Sequence, residues 1–363
     1  MQLNKEENQH PTKRGFRLVS IGGGTGLSTL LRGLKRHTVL PGEAPPSGSF
    51  ISELTAVVTV SDDGGSSGRL RRELNILPPG DIRNCLVAVS EDENLLSKLF
   101  RHRFSSAGDL EGHSFGNLFL AALTAVTGDF TEAVKRASEI LATRGHILPA
   151  TSSNVQLEAL MDDGSRVVGE TNITASEKRI VELCMSPENA QPLAQTLKAI
   201  AEADIITIGP GSLFTSLIPN MLVNGIPEAI AGSRAVKVFV CNLMTEANES
   251  LHMSASDHIK AIYAHARRRI FDYALVNCAQ VSPGMLEKYA EERAEQVECD
   301  TANIEALGLK CITGNFVEEN DFARHATDQI CLELLSLAKL AATCLTQNSP
   351  AGSKMMDPCP AKT

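Results

Sequence analysis

Four apolar runs of strand length constrain this chain more than any other feature, because each breaks into a loop of small polar residues. The run at 16–21 (FRLVSI) enters Gly22, Gly23, Gly24, Thr25 and Gly26, and the run at 54–61 (LTAVVTVS) enters DDGGSSGRLRRE. The run at 204–208 leads to GPGSLFTS, and that at 236–240 leads to CNLMTEANES. Near-continuous apolar strands separated by helices build a parallel sheet covered on both faces. Ligands of such sheets bind beyond the carboxyl ends of the strands, so the four loops are expected to open on one rim.

The rest of the chain follows the same alternation. Helical spacing is predicted over 27–37, 95–104, 116–128, 192–203 and 255–269, with a further strand at 271–278. The stretch 155–185 differs. Its Asp163-Gly164 pair between alternating runs predicts a hairpin followed by another strand, a small β-rich insertion at about 150–186. We therefore expect one α/β domain over 16–346, a three-layer Rossmann-like parallel sheet carrying that insertion. The polar segments 1–15 and 347–363 read as a disordered leader and tail.

Composition narrows the function. A net charge of −9 argues against a general nucleic-acid or membrane-surface binder, and the absence of Trp leaves few platforms for base stacking. No stretch reaches transmembrane length, so no membrane insertion is expected and a cytoplasmic location is. Nine scattered cysteines with no C-x-x-C read as unpaired thiols of a reduced compartment, neither a disulfide frame nor a zinc site.

The loops carry the chemistry. A bare turn needs one glycine, not the four within 22–26, and a helix starting straight afterwards directs its positive end at the same spot. This reads as an anion site. It is neither a Rossmann fingerprint, since Gly24-x-Gly26-x-x-Thr29 lacks the third glycine, nor a Walker A loop. Gly209, Pro210, Gly211 and Ser212 repeat the arrangement, and two such loops favour a diphosphate. Asp62 or Asp63 would hold Mg²⁺ on a phosphate or accept a proton from a hydroxyl, with Arg69 forking onto phosphate oxygens. Ser66 and Ser67 add hydroxyls. An Asx-turn is the plain alternative for the acidic pair, and Arg71 and Arg72 read as a solvated helix face. Asp81 is placed to cap the next helix. Arg83 beside Asn84 in its first turn is disfavoured by the helix dipole unless an anion lies nearby. His113, Ser114 and Asn117 stand at another helix start; Gly112-His113-Ser114-Phe115-Gly116 has G-x-S-x-G spacing but follows a loop and not a strand, so capping or ligand hydrogen bonding outweighs a hydrolase nucleophile. Asn242 lies in the fourth loop. Asp257-His258 reads as a helix cap, and the histidines show no zinc spacing.

With those residues in place, IGGGTGLSTLLRGLK, LTAVVTVSDDGGSSGRLRRE, LPPGDIRNCLVAVS, GHSFGNLFLAALT, IGPGSLFTSLIPNMLVNGI and ASDHIKAI resemble the gluconeogenesis factor family (YvcK-like). That family is a bacterial relative of 2-phospho-L-lactate transferase (CofD-like), and the likeness runs from about residue 17 to about 335. It implies a CofD-like fold and a nucleotide-sugar ligand of the UDP-N-acetylglucosamine type. The implied role is supporting cell shape and wall-precursor balance during gluconeogenic growth. It also implies that the two glycine loops surround a nucleoside diphosphate, and that Asp62 and Asp63 lie where an acceptor hydroxyl and Mg²⁺ meet. Tyr289 and Arg324 fall in segments linked with nucleotide-sugar binding, and a homodimer is implied by analogy. The second loop reads GPGSLFTS where the transferase branch has a GPSNP-like form. Two readings therefore stand, a nucleotide-sugar-binding factor and an Mg²⁺-dependent transferase, beside a scaffold whose glycines are merely structural.

Overall fold

The computed structural model describes residues 15–91, 95–105 and 108–347. Apart from residues 15 and 347, the expected leader and tail lie outside the described residues. In chain order the strands are β1 (Phe16–Gly22), β2 (Ile51–Val58), β3 (His146–Pro149), β4 (Gln156–Met161), β5 (Arg166–Val168), β6 (Ile180–Ser186), β7 (Ile205–Ile208), β8 (Val236–Val240), β9 (Tyr273–Asn277), β10 (Lys310–Gly314), β11 (Val317–Glu319) and β12 (Ala323–His325). Seven of them form one parallel sheet in the order β10-β9-β8-β7-β1-β2-β3. The chain winds outward from β1 to β3, then restarts on the other side of β1 with β7 and winds outward to β10. The turning point lies between β1 and β7, where sheets of this kind leave a crevice.

The register there places Leu18, Val19, Ser20 and Ile21 opposite Ile205, Ile206, Thr207 and Ile208. All are buried, and the one polar pair is satisfied internally, Thr207 Oγ1 donating to Ser20 Oγ at 2.8 Å. After β1 comes α1 (Gly24–Arg36), whose Leu27, Leu30, Leu31 and Leu34 are fully buried at the i, i+3, i+4, i+7 spacing of one helix face. Each such side chain contributes about 1.5–3 kcal/mol of transfer free energy. The helix begins at Gly24, three residues before the apolar spacing predicts, so the glycine loop is its first turn. Two further helices matter for the site, α2 (Gly65–Leu74) and α3 (Gly80–Val89). One packed set of helices joins α1, α3 and Thr327–Gln347, and another joins Ala194–Glu202, Ile218–Leu222, Ile226–Gly232 and Ala255–Ala266.

The β-rich insertion is present as an antiparallel sheet of order β5-β4-β6. Its hairpin turns at Asp163-Gly164, with Gly164 at φ +81° and its amide donating to Met161 O at 2.9 Å. β11 and β12 carry three residues each, too few to show a period, and β3 (HILP) and β10 (KCITG) lack the near-continuous apolar run of β7, β8 and β9. Asp257 joins Ser254 in a reciprocal capping box, as its position at a helix start implies.

One expectation is overturned. Cys278, just past β9, and Cys299 form a disulfide with Cα atoms 5.7 Å apart. The 21-residue separation gives no local sign of pairing; the fold brings the two together. Cys85, Cys241 and Cys331 are buried free thiols. Among the described residues no helix is long and apolar enough to cross a membrane.

Candidate functional site

The two glycine loops touch. A Cβ on Gly26 would lie 2.5 Å from Pro210 O and 2.8 Å from Gly211 Cα, and one on Gly211 would lie 3.5 Å from Gly23 O. Only glycine allows backbones this close, and Gly24 and Gly209 also adopt positive φ, +59° and +87°. Asn242 clamps the second loop from β8's end. Its Oδ1 accepts from Gly211 N at 3.0 Å and its Nδ2 donates to Gly211 O at 2.9 Å, so it positions the loop. Asn220 steadies the first, donating to Gly22 O at 3.2 Å.

Carboxylates line the floor. Gly24 N donates to Asp81 Oδ2 at 2.8 Å, so Asp81, in the first turn of α3, caps α1 and not its own helix. Burial first, then the neighbouring Asp62, pushes the Asp81 carboxyl up to about 6. Asp62 accepts from Gly64 N at 2.9 Å, the Asx-turn foreseen as its plain alternative, and its other oxygen faces Gly80. Asp63 accepts from Thr171 N and Oγ1 at 2.9 and 2.6 Å, which ties it to the insertion. The Asp62 charge thus acts on the buried Asp81 carboxyl.

Four further residues belong here: Glu170, Glu249 and Thr171 escaped the sequence reading, and Arg71 is read there as solvated. Ser61 donates to Glu170 at 3.0 Å, and burial, then Asp81 and Asp62, raises the Glu170 carboxyl well above its usual range. Glu249 accepts from Phe214 N at 2.9 Å, Thr215 N at 3.2 Å and Thr215 Oγ1 at 2.7 Å; burial, then Glu246, brings it to about 7. Arg71 does not lie on a solvated face. It is half-buried, donates to Ser61 O and Val155 O, and is attracted by Asp63, Asp62 and Glu170. Thr171 is the fourth. Glu249 sits inside the quoted fourth loop, but only its burial against the 213–215 amides reveals its role. Beyond α2 on the insertion side lies a cavity of about 650 Å³, lined by Asp63, Gly65, Arg71, Arg72, Asn154 and Thr171 among others.

On the opposite side of α2 the character reverses. Ser66 Oγ meets His113 Nδ1 at 3.0 Å, and Asn117 Nδ2 reaches Ser67 Oγ at 3.4 Å. Ser114 caps helix Phe115–Thr127 by accepting from Asn117 N at 3.2 Å and also accepts from Arg83 Nη1 at 2.6 Å, so capping, not nucleophilic duty, occupies it. Arg83 Nη2 donates to Asn84 Oδ1 at 2.7 Å, and Arg69 donates to Glu111 O. Thr25 and Ser212 edge the glycine loops. Tyr289 and Arg324 stand apart, on the β8–β10 half. Tyr289 packs with Leu243 and Met244, which follow Asn242, and with Ala323 beside Arg324.

The family model for 2-phospho-L-lactate transferase CofD matches residues 18–317, from within β1 to the first residue of β11, and so takes in both glycine loops and the loops after β2 and β8. The chain belongs to the CofD family. A gluconeogenesis factor of Halalkalibacterium halodurans is 47% identical over 319 residues, covering 88% of this chain and 95% of that protein. Its Bacillus subtilis counterpart, also a gluconeogenesis factor, is 46% identical over 324 residues, covering 89% and 98%. A crystal structure of a UPF0052 family member from Bacillus halodurans superposes with a TM-score of 0.83 at 46% identity, covering 89% of this chain and 99% of that one. The CofD-family fold thus agrees with the parallel sheet and flanking helices expected from the four strand–loop runs.

Proposed function

We propose that this CofD-family protein is a cytoplasmic nucleotide-sugar-binding factor, with a ligand of the UDP-N-acetylglucosamine type, acting in cell shape and wall-precursor balance during gluconeogenic growth. The observation that carries the reading is the contact between Gly26 and Pro210, which makes one backbone surface of two loops at the sheet's turning point. Two relatives named gluconeogenesis factor, each matched along nearly its whole length, support the role. Calorimetry with UDP-N-acetylglucosamine, with and without Mg²⁺, is the test. Saturable heat is expected, and none at millimolar ligand removes the reading.

A second reading is favoured by Asp62 beside Asp81, two carboxylates whose mutual repulsion a cation relieves. Mg²⁺ commonly takes one or two carboxylates and completes its shell with phosphate oxygens and water, so this pair fits it. Asp62 and Asp81 would be the holders, in place of Asp62 and Asp63. Among the described residues no group of three His, Cys, Asp or Glu side chains converges as a self-sufficient metal site, so the ligand would have to complete the shell. Bound there, the ion would neutralise charge on a diphosphate. Such a site would serve a 2-phospho-L-lactate transferase-like enzyme using a nucleoside diphosphate-activated donor. Incubation with a deazaflavin acceptor and a guanylyl-activated donor discriminates: turnover by the wild type, lost in Asp62→Asn and Asp81→Asn, is required of the enzyme.

A further inference from the structure

The glycine loops are where a phosphate is expected, yet the charges in place there are negative. The start of α1 is closed by Asp81 on Gly24 N, and the start of the next loop's helix by Glu249 on Phe214 N and Thr215 N. An anion arriving at either must compete with a carboxylate already holding the amides. The cations lie across α2. Arg103 pairs with Ser114 in an isolated antiparallel bridge, and its guanidinium donates to Gly112 O while that of Arg69 donates to Glu111 O. The two heads thus grip carbonyls of successive residues, and after burial both lower the proton affinity of His113, against the opposing pull of Glu73. After burial, Arg103 is the largest influence depressing Arg83, and Arg101 adds to it. Asp81 and Asp62 attract Arg83 from beyond ion-pair reach, and none of the four arginines forms an ion pair among the described residues.

Two polar groups beside this cluster lack partners. Arg83 Nε is buried with no acceptor, and Asn117, 2% exposed, has an unpartnered Oδ1. Turning that amide over would set Oδ1 toward the Ser67 hydroxyl and free its NH₂ as a donor. Helix Phe115–Thr127, with Asn117 in its first turn, has no acidic residue there; Ser114 Oγ accepts from Asn117 N and His102 O from Phe115 N, so neutral oxygens and no carboxylate sit at its positive end. Mutually repelling guanidiniums, an orphaned Nε–H and a helix start without a carboxylate share one requirement, an anion with several oxygens.

We infer that the phosphoryl group of the ligand is held by Arg69, Arg83 and Arg103 at the start of helix Phe115–Thr127, and not by the amides of the glycine loops. The inference rests on the proposed function only in that the ligand carries a phosphoryl group. Arg83 supplies the desolvated anchor, and Arg69 and Arg103, reachable from solvent, close over the oxygens. The glycine loops, with Asp62 and Asp81, are left to face the ligand's hydroxyl-bearing or metal-bearing part.

The test is calorimetry on the full chain with inorganic pyrophosphate, UDP and uncharged uridine as probes. Arg69→Gln/Arg103→Gln is the variant, because both residues lie outside the core. Arg136→Gln on helix Phe130–Ile140 controls for loss of positive charge. The double variant is expected to weaken pyrophosphate and UDP at least tenfold, with uridine unchanged and the control like wild type. Affinities within twofold of wild type, or no pyrophosphate binding by wild type, overturn the inference. Phenylglyoxal labelling of wild type reads the same contact without substitution. Protection by pyrophosphate confined to the peptides bearing Arg69, Arg83 and Arg103 supports it, and unchanged labelling overturns it. The two proposals fail separately. UDP-N-acetylglucosamine bound equally by wild type and double variant keeps the nucleotide-sugar reading and removes this site. Arginine-dependent pyrophosphate binding without any nucleotide-sugar binding does the reverse.

Discussion

At the residue scale, one glycine and one carboxyl carry the most consequence. A methyl on Gly26 would sit 2.5 Å from the Pro210 carbonyl, a backbone atom that cannot swing aside, so the loops must part to admit it. Gly26→Ala is expected to lower stability by about 1–3 kcal/mol and to reduce nucleotide affinity in parallel, read by thermal melting and calorimetry. Asp81 is held at about 6 in the fold, above the usual carboxyl value of about 3.9. Between those values the native state binds more protons than the unfolded state, so this group's contribution falls as pH rises from about 4 to about 6 and stays low above. Asp81→Asn keeps an acceptor for Gly24 N but removes the titration. Urea unfolding at pH 4.5, 5.5 and 7 is expected to show wild type losing stability relative to the variant across that window, by on the order of 2 kcal/mol. A constant difference would show that Asp81 titrates normally. Neither residue's role is written in its neighbours: Asp81 looks like the cap of its own helix and instead caps one 57 positions away.

At the element scale, the insertion is attached to the site through few bonds. Asp63 accepts two hydrogen bonds from Thr171, at the start of helix Glu170–Ala175, and Glu170 accepts one from Ser61. Removing the Asp63 carboxylate deletes a cap, a loss of about 0.5–2 kcal/mol. Asp63→Ala is expected to raise amide exchange across β4, β5 and β6 while leaving β1 and β7 protected, as measured by hydrogen exchange with mass spectrometry. Uniform protection in the variant would separate the insertion's stability from the site. The hairpin itself was legible, since an Asp-Gly turn between alternating runs is a local signal. Its docking was not, because Asp63 and Thr171 are 108 residues apart.

At the scale of the whole molecule, the Cys278–Cys299 disulfide encloses the segment that carries Tyr289, whose ring packs under the loop after β8. Closing a loop of this length stabilises a chain by about 3 kcal/mol in the chain-entropy picture. Reduction is expected to lower the melting temperature, and intact-mass analysis after alkylation of the denatured chain is expected to gain two labelled thiols on adding reductant; all nine cysteines labelled without reductant would show the pair open. What the sequence determined was the parallel α/β sheet, its insertion and the loops that close its strands. Those follow from periodicity and glycine content, which act over a few residues. The tertiary structure decided that the Asp62 charge acts on a buried Asp81, that Arg71 turns inward, and that acidic caps and unpaired arginines lie on opposite sides of α2. Strand order and burial set those outcomes. The charge a group keeps depends on which distant groups share its low-dielectric surroundings, and no local stretch of sequence encodes that.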